Sequence, residues 1–363
     1  MLWKPALATS PGRDDRFRRN SGGIQSGSLS GPSTTQRVFH LQAAAVAHPN
    51  IALVKYWGKQ DAPGNRPAVP SISITLDTLR TDTTVRFDPD LASDTVSLNG
   101  QPDPKTAARV VACLDALRNR AGSQLFACVE TRNNFPTHAG LASSASGFAA
   151  LVAAADRALG LDLPRDELSR IARGSSGSAA RSLYGGFVEM PLAGDEEAAY
   201  PLLGADQWPL SVVIAVTATS AKAVGSTEGM ERTARTSDYY QAWLGSAGRD
   251  FAEARDAILR RDFQRLARVS ERSCLKMHAL MLSADPGLIY WNSASVSCLH
   301  RLRTLRHDGV EVFFTMDAGP QVKAVCAPSE RNRVAAALAS EPGVVQVLEC
   351  GLGPGAKVTE TAL

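Results

Sequence analysis

The sequence lacks the features that mark several classes of protein. Its six cysteines show none of the CxxC spacing that a structural zinc site needs, so reduced intracellular thiols are the better interpretation; they are Cys113, Cys128, Cys274, Cys298, Cys326 and Cys350. The longest run without a formal charge, residues 133–155, begins with Asn, Pro and Gly and is too polar for a transmembrane helix. We expect a cytoplasmic protein that does not span a membrane.

Excess positive charge is also scarce. Lys and Arg number 39 against 36 Asp and Glu, and residues 1–37 hold six of the basic side chains and only two of the acidic ones. The rest of the chain is nearly neutral, so it lacks the broad basic face with which proteins displace counterions from nucleic acid. Nucleic acid is therefore not expected as a partner.

Residues 1–36 are rich in Ser, Gly and Arg and show no apolar periodicity. We expect a disordered N-terminal extension without a catalytic role. An organellar transit peptide and a start codon assigned too far upstream are the alternatives, and the acidic residues Asp14 and Asp15 argue against the transit peptide.

The remaining residues alternate between strand and helix patterns. Ile72, Ile74 and Leu76 alternate with polar residues, and β-like runs at 83–87 and 95–98 lead to an Asn99-Gly100 turn, which predicts antiparallel sheet. The other predicted elements are helices at 104–120, 144–159, 165–173 and 329–340, a mostly helical region at 237–307, strands at 124–130, 209–217, 310–316 and 343–349, and a C-terminal tail. Together with the length of 363 residues, this pattern predicts an α+β fold of two lobes, residues 37–208 and 209–363.

A glycine- and serine-rich run lies between a predicted strand and a predicted helix, and it reads PTHAGLASSASG, residues 136–147. Small residues allow close backbone approach to an anion, and the free N–H groups at a helix start favour phosphate. The run therefore predicts a triphosphate site, with a tight turn packed against a sheet as the alternative. It is not a Walker loop, because GxxxxGK[ST] is absent, and no strand is followed by the GxGxxG of a Rossmann fold.

Two further runs combine cations with hydroxyl groups. Lys55 and Lys59 flank Tyr56 and Trp57, an arrangement that suits a small anionic substrate, although solvated lysines on a strand would give the same pattern. Downstream, the run 174–186 places two serines and one arginine within six residues, so hydroxyls and a guanidinium can converge on one oxyanion; they are Ser176, Ser178 and Arg181. A serine-rich loop with a surface arginine is the alternative.

Asp317 follows the apolar run VEVFFTM, residues 310–316, and precedes Ala-Gly-Pro. Its carboxylate is expected to emerge from a buried strand into a cleft. A catalytic carboxylate and a structural loop anchor both fit this position.

Five runs in this order resemble the mevalonate diphosphate decarboxylase family of the GHMP kinase superfamily; they are NIALVKYWGK (50–59), NNFPTHAGLASSASGFAAL (133–151), GSSGSAARSLYGGFVE (174–189), GSTEGMERTARTS (225–237) and FTMDAGP (314–320). The resemblance implies a two-lobed GHMP-kinase-like fold. Its N-terminal lobe would be like ribosomal protein S5 domain 2, its C-terminal lobe ferredoxin-like, and a cleft would separate them. It also implies a homodimer.

The resemblance also implies residue roles. Asp317 would orient, and in one version deprotonate, the substrate C3 hydroxyl, with Lys55 and Arg181 as the other catalytic residues. The substrate-binding set would be Tyr56, Trp57, Gly58, Lys59, Arg109, Ser176, Gly177, Ser178, Arg181 and Thr227. The nucleotide-binding set would be Pro136, Gly140, Leu141, Ala142, Ser143 and Ser144.

The implied reaction phosphorylates the C3 hydroxyl of mevalonate 5-diphosphate with ATP and Mg²⁺ and then releases phosphate and CO₂ to leave isopentenyl diphosphate. No residue is assigned as a metal ligand. Within the family, the alternatives are a mevalonate 5-phosphate decarboxylase and a mevalonate 3-kinase. An alternative of a different class is a nucleotide-binding protein that keeps the fold and has no catalytic activity.

Two positions depart from the usual family pattern. His138 replaces a small residue in the phosphate loop, and Val69-Pro70 stands where the family generally has Asn-Ser. We expect the loss of those polar groups to alter how the carboxylate end of the substrate is held.

Overall fold

The computed structural model describes residues 41–61, 63–135, 142–192, 198–220 and 222–359. The strands in this part of the chain are β1 (Gln42–Ala47), β2 (Asn50–Val54), β3 (Ser71–Thr75), β4 (Thr81–Asp88), β5 (Thr95–Leu98), β6 (Gln101–Pro102), β7 (Phe126–Asn133), β8 (Phe187–Met190), β9 (Tyr200–Leu203), β10 (Ser211–Val216), β11 (Val312–Thr315), β12 (Val322–Cys326), β13 (Gln346–Gly351) and β14 (Lys357–Thr359). The helices are α1 (Pro104–Ala121), α2 (Ser143–Ala158), α3 (Arg165–Ser175), α4 (Ala179–Ser182), α5 (Ser226–Thr236), α6 (Tyr240–Arg260), α7 (Phe263–Leu282), α8 (Ser293–His307) and α9 (Arg331–Ala339).

A six-stranded sheet in the order β14-β1-β4-β7-β5-β6 is antiparallel except for the parallel pair β5 and β7. Helices α1, α2 and α3 cover it and enclose one apolar core. Helix α2 is buried on almost every side and is rich in alanine, whose small side chain lets neighbouring elements approach closely. This packing fixes the first turn of α2, where the predicted phosphate loop ends.

Two antiparallel four-stranded sheets, β2-β3-β8-β9 and β11-β12-β10-β13, share a second apolar core with α6 and α7. Ile72 and Ile74 from the first sheet and Ile214 from the second are fully buried. The hydroxyl of Thr315 at the end of β11 donates to the carbonyl oxygen of Ala52 in β2, at 3.2 Å. The ends of β2 and β11 therefore lie side by side, and each leads directly into one of the predicted catalytic residues.

Most predicted elements agree with the structure. The helices predicted at 104–120, 144–159, 165–173 and 329–340 are α1, α2, α3 and α9, and Asn99-Gly100 forms the turn between β5 and β6 with positive φ at both residues. The predicted antiparallel sheet is confirmed apart from the parallel pair of β5 and β7. One expectation was wrong: residues 357–359, predicted as tail, form β14 beside β1, with Thr359 opposite Ala44. The lobe boundary at residue 208 stays a prediction.

Candidate active site

One cleft of about 660 Å³ collects most of the predicted site. The predicted residues that line it are Tyr56, Trp57, Lys59, Arg109, Ala142, Ser143, Ser144, Ser176, Gly177, Ser178, Arg181, Thr227 and Asp317. Lys55 contacts Asp317 directly. Pro136, His138, Gly140 and Leu141 lie outside the described residues, and their roles stay predictions.

Asp317 lies between two buried ammonium groups. The Nζ of Lys55 is 2.7 Å from one carboxylate oxygen, and the Nζ of Lys323 is 3.3 Å from the other. Both lysine side chains are only 1 % exposed, whereas that of Asp317 is 30 % exposed. Removal from bulk water raises the pKa of Asp317, but the two cations outweigh this effect and hold the pKa well below its usual range. The carboxylate is therefore ionised and still open to the cleft.

Arg181 supplies a positive charge that no nearby carboxylate neutralises. Its guanidinium donates to neutral oxygens, at 2.8 Å to Ser71 Oγ and 3.1 Å to Ser73 Oγ, and it lies 5.7 Å from the Tyr56 ring centroid. It forms no salt bridge with any residue of the described ranges. Burial lowers the pKa of Arg181 to about 10, against the raising effect of Tyr56 and Asp317, so it stays charged at neutral pH. A buried, unneutralised guanidinium that faces a cleft is suited to bind an anion.

The serine pair stands in the turn between α3 and α4. The two hydroxyl oxygens of Ser176 and Ser178 are 3.4 Å apart, and Asn50 holds the turn by donating to the carbonyl of Ser178 at 2.9 Å. Gly177 lies between the serines, and a methyl group at that position would collide with the Tyr56 hydroxyl. Any larger residue here would displace the Tyr56 side chain, and Tyr56, Ser176 and Ser178 all line the same cleft.

Two further cations line the cleft. Lys59 Nζ donates to the Thr227 hydroxyl at 3.3 Å, and Arg109 donates twice to the carbonyl of Ser175, at 3.1 and 2.9 Å. The guanidinium of Arg109 also lies 4.7 Å from the ring centroid of Phe148. Partial burial lowers the pKa of both Lys59 and Arg109.

Trp57 and Gly58 have structural roles in packing around the cleft. The indole N–H of Trp57 donates to Thr233 Oγ1 at 2.8 Å, and the side chain is 2 % exposed. Gly58 has φ of 102° and does not line the cleft; a Cβ there would lie 2.5 Å from the Tyr240 hydroxyl. Their assignment to substrate binding stays a prediction.

The start of α2 forms another part of the cleft wall. Ala142 adopts the left-handed conformation with φ of 59°, and Ser143, Ser144 and Gly147 follow it along the cleft. The N–H groups of the first helical turn and the helix dipole favour phosphate at this point. An adjoining apolar surface can cover a planar base; it consists of Val96, Leu98, Val110 and Phe148.

Sequence reasoning missed Lys222, Lys323 and Asn50. Lys222 Nζ donates to Ser226 Oγ at 2.8 Å and to the Ala318 carbonyl at 3.0 Å. Burial lowers its pKa to about 8, with a smaller raising effect of Asp317 and a lowering effect of Lys323. Lys323 carried one signal, a single lysine inside the apolar run VKAVC, but its partner is visible only in the structure.

The Val69-Pro70 departure lies in the packing behind the cleft. Val69 is fully buried in an apolar cluster that includes Trp57, Met230 and Trp243, and neither Val69 nor Pro70 lines the cleft. An aliphatic side chain fits this cluster better than an amide does. Val69 therefore packs behind the cleft, and the effect of the departure on substrate binding stays a prediction.

Two family models match the chain. One describes a diphosphomevalonate decarboxylase-like N-terminal domain and covers residues 47–200, and the other describes the mevalonate 5-diphosphate decarboxylase C-terminal domain and covers residues 212–344. The chain belongs to the diphosphomevalonate decarboxylase family. The family predicted from the sequence motifs is thereby confirmed.

Individual members of the diphosphomevalonate decarboxylase family agree with this assignment. The enzyme of Candida albicans is 35 % identical over 357 residues, which cover 88 % of this chain and 99 % of that protein. The human enzyme is 36 % identical over 295 residues, 75 % of this chain and 73 % of that protein. These relatives carry the name diphosphomevalonate decarboxylase.

Solved structures of the family share the fold. The enzyme of Staphylococcus aureus superimposes with a TM-score of 0.83 at 38 % identity over 88 % of this chain and 98 % of that chain. MDDEF, solved in complex with MVAPP, AMPPCP and magnesium, gives a TM-score of 0.82 at 38 % identity over 88 % and 99 % of the two chains. The predicted two-lobed, GHMP-kinase-like α+β fold is confirmed.

Proposed function

We propose that this protein catalyses the ATP-dependent decarboxylation of (R)-mevalonate 5-diphosphate to isopentenyl diphosphate, ADP, phosphate and CO₂. One observation carries the proposal: the ionised carboxylate of Asp317 lies in the same cleft as buried, positively charged Arg181 and the Ser176–Ser178 turn. A small molecule with anionic groups at both ends and an alcohol between them matches this arrangement. The complexes that MDDEF forms with MVAPP and AMPPCP support the same substrates for this chain.

In the proposed complex, each group of cleft residues holds one end of the substrate. The diphosphate lies at Ser176, Ser178 and Lys59, whose hydroxyl and ammonium groups donate to its oxygens. The C1 carboxylate lies at Arg181, whose charge forms no salt bridge among the described residues and whose hydrogen bonds go to neutral oxygens. Binding at two points places the C3 hydroxyl beside Asp317 and holds the substrate in one orientation.

Asp317 acts first by accepting the hydrogen bond of the C3 hydroxyl. Because its pKa is held well below the usual range, it is a weak base, and it takes the proton only as the new bond between the C3 oxygen and the γ-phosphorus forms. The bond from the γ-phosphorus to the β-bridging oxygen breaks, and its electron pair leaves with ADP.

Decarboxylation follows from the leaving group thus created. The C3–O bond breaks and its electron pair leaves with phosphate, which gives C3 cationic character. The electron pair of the C1–C2 bond then forms the double bond between C2 and C3, and CO₂ is released. Lys55 lies beside Asp317 and stabilises the negative charge that collects on the departing phosphate.

The nucleotide lies with its phosphates at the start of α2 and at Lys222. Within the described ranges, no three His, Cys, Asp or Glu side chains form a metal-binding cluster. Mg²⁺ commonly takes only one or two protein oxygens and keeps water and phosphate oxygens as its other ligands. The hydroxyls of Ser143 and Ser144, which line the cleft, fit this role. When bound, Mg²⁺ offsets the negative charge of the transferred phosphoryl group.

Product identification tests the proposal. The purified full chain is incubated with ATP, Mg²⁺ and mevalonate, its 5-phosphate or its 5-diphosphate, and isopentenyl diphosphate and inorganic phosphate are measured. We expect turnover of the diphosphate with equal yields of both products. A phosphorylated product without CO₂ would indicate a 3-kinase, preference for the monophosphate would indicate the alternative decarboxylase, and ATP binding without any product would indicate a silent protein.

Two further predictions from the sequence remain open. The homodimer is tested by light scattering after size-exclusion chromatography, and the cytoplasmic location is tested by fractionation of the source cells. None of the described helices has both the length and the apolar character needed to cross a bilayer.

A further inference from the structure

Lys323 occupies a position where a core aliphatic residue would be expected. Strand β12 alternates: Val322, Ala324 and Cys326 belong to one apolar core, and Val325 belongs to the core shared with α6 and α7. Lys323 points to the same side as Val325, pairs with Thr315 and Ile214 on the neighbouring strands, and is 1 % exposed. Burial of an ammonium group lowers folding stability because the charge loses its hydration, whereas an aliphatic side chain of similar volume has no such desolvation cost. The presence of the lysine therefore calls for a reason other than stability.

The contact with Asp317 supplies that reason. Lys55 Nζ takes one carboxylate oxygen at 2.7 Å, and Lys323 Nζ takes the other at 3.3 Å. A single ammonium would leave the carboxylate free to turn about its terminal torsion, which has broad preferences. Two ammonium groups on different oxygens fix its plane. Each carboxylate oxygen has a second lone pair, so the exposed side of Asp317 can still accept the alcohol hydrogen.

We propose that Lys323 is a positioning residue that fixes the plane of the Asp317 carboxylate, so that its free lone pairs meet the C3 hydroxyl of the substrate. The inference rests on the proposed function. Lys323 touches neither substrate nor nucleotide in this account, and it acts through Asp317 alone.

The other groups around Asp317 determine how the effect appears in a pH profile. Burial raises the pKa of the Cys274 thiol and lowers the pKa of His278 to about 3, so both are neutral near pH 7. The basic groups near Asp317 come from four separate segments of the chain; they are Lys55, Arg181, Lys222 and Lys323. Loss of one cation raises the pKa of both Asp317 and Lys222. The alkaline limb of the profile, which Lys222 sets, should then move to higher pH.

The test compares Lys323→Met, Lys323→Gln and Lys323→Arg with wild type. Lys276→Met is the matched control, because Lys276 Nζ also pairs with a buried carboxylate, Asp250, at 2.8 Å, and it lies outside the cleft. Wild-type product formation is measured first, so that a failure of the proposed reaction is recognised before any variant is interpreted. For each variant, kcat, KM, the pH profile of kcat/KM and the melting temperature are recorded.

For Lys323→Met we expect kcat to fall about 100-fold, because a carboxylate displaced by an ångström no longer aligns the alcohol. KM for the diphosphate should change by less than about threefold. The alkaline limb of the pH profile should move to higher pH, and the melting temperature should stay level or rise. Lys323→Arg should restore part of kcat and return the alkaline limb towards wild type. Lys276→Met should lower the melting temperature and leave the limbs in place.

The inference is overturned if the wild type is active and the kcat of Lys323→Met stays within about twofold of it, with the pH profile unmoved. It is equally overturned if Lys323→Met loses activity and melting temperature together while its limbs stay in place. If Lys323→Met does not fold, Lys323→Gln is judged by the same limbs and the same kcat.

Discussion

Replacement of Asp317 by Asn tests the electrostatic account of the cleft most directly. The amide keeps the shape of the side chain but removes the one anion that separates the ammonium groups of Lys55 and Lys323. Loss of one partner from a buried ion pair costs about 3 to 5 kcal/mol. Because Asp317 is 30 % exposed, we expect the lower end, about 3 kcal/mol. For a chain of 363 residues that corresponds to a melting temperature lowered by about 4 °C.

The sign of the pH dependence follows from the same contacts. In the wild type, the pKa of Asp317 is lowered, so its stabilisation is complete above the ordinary carboxyl pKa and is lost as the pH falls through the folded value. In Asp317→Asn, the buried charge of Lys323 loses its anionic partner. Burial already lowers the pKa of this lysine. The unfolded chain then binds more protons than the folded one, so stability rises with pH. The deficit should be smaller at about pH 9.5 than at about pH 7.

Activity should fall much further than stability. We expect kcat to drop by about 10³-fold, since the alcohol loses both its acceptor and its alignment. The substrate is anionic, so its affinity should not weaken. Thermal denaturation, single-turnover product assays and substrate titration measure the three quantities.

Asp250→Asn is the matched control. Asp250 is also buried between two cations, with Arg272 at 2.9 Å and Lys276 at 2.8 Å, but it lies away from the cleft. This variant should lose less stability, because Arg272 and Lys276 are 41 % and 33 % exposed and stay hydrated, and it should keep its kcat. The reasoning is refuted if Asp317→Asn turns over within about threefold of wild type, or if Asp250→Asn loses activity to the same extent.

Three other predictions concern single positions. Gly177→Ala should displace the Tyr56 hydroxyl and raise KM for the diphosphate about tenfold with little change in melting temperature; an unchanged KM would contradict this close approach. Burial lowers the pKa of Lys222 to about 8, so kcat/KM should fall as the pH rises through that value. Lys222→Arg should move this alkaline limb to higher pH. An unmoved limb would show that Lys222 does not cause it. Val69→Asn should cost about 2 kcal/mol in urea unfolding, because it buries an unpaired amide, and a changed KM would show that the position does reach the substrate.

The sequence predicted helices and turns well where the stabilising contacts come from residues nearby in the chain. Helix α1 begins after Asp103, whose side chain accepts from the Thr106 N–H, and ends at Gly122 in the left-handed conformation. The Asn99-Gly100 turn works in the same way, because both residues tolerate positive φ. These features depend on neighbours only a few residues away, so the sequence displays them.

The site was predictable as a set of residues and not as an arrangement. The sequence motifs picked out Asp317, Lys55 and Arg181, but they did not indicate that Lys323 holds the second oxygen of Asp317 or that Lys222 stands beside it. A single lysine in a strand has the same letter whether it is solvated or buried. Only its tertiary surroundings distinguish the two states.

The sequence by itself determined the family, the order of the elements and the chemical groups available for catalysis, because these depend on residue types and short spacings. The tertiary structure alone decided that β14 completes the sheet beside β1, that Val69 faces an apolar cluster, and that two lysines share one carboxylate. Strand pairing, burial and pKa all depend on which distant residues come into contact. That information exists only once the chain has folded.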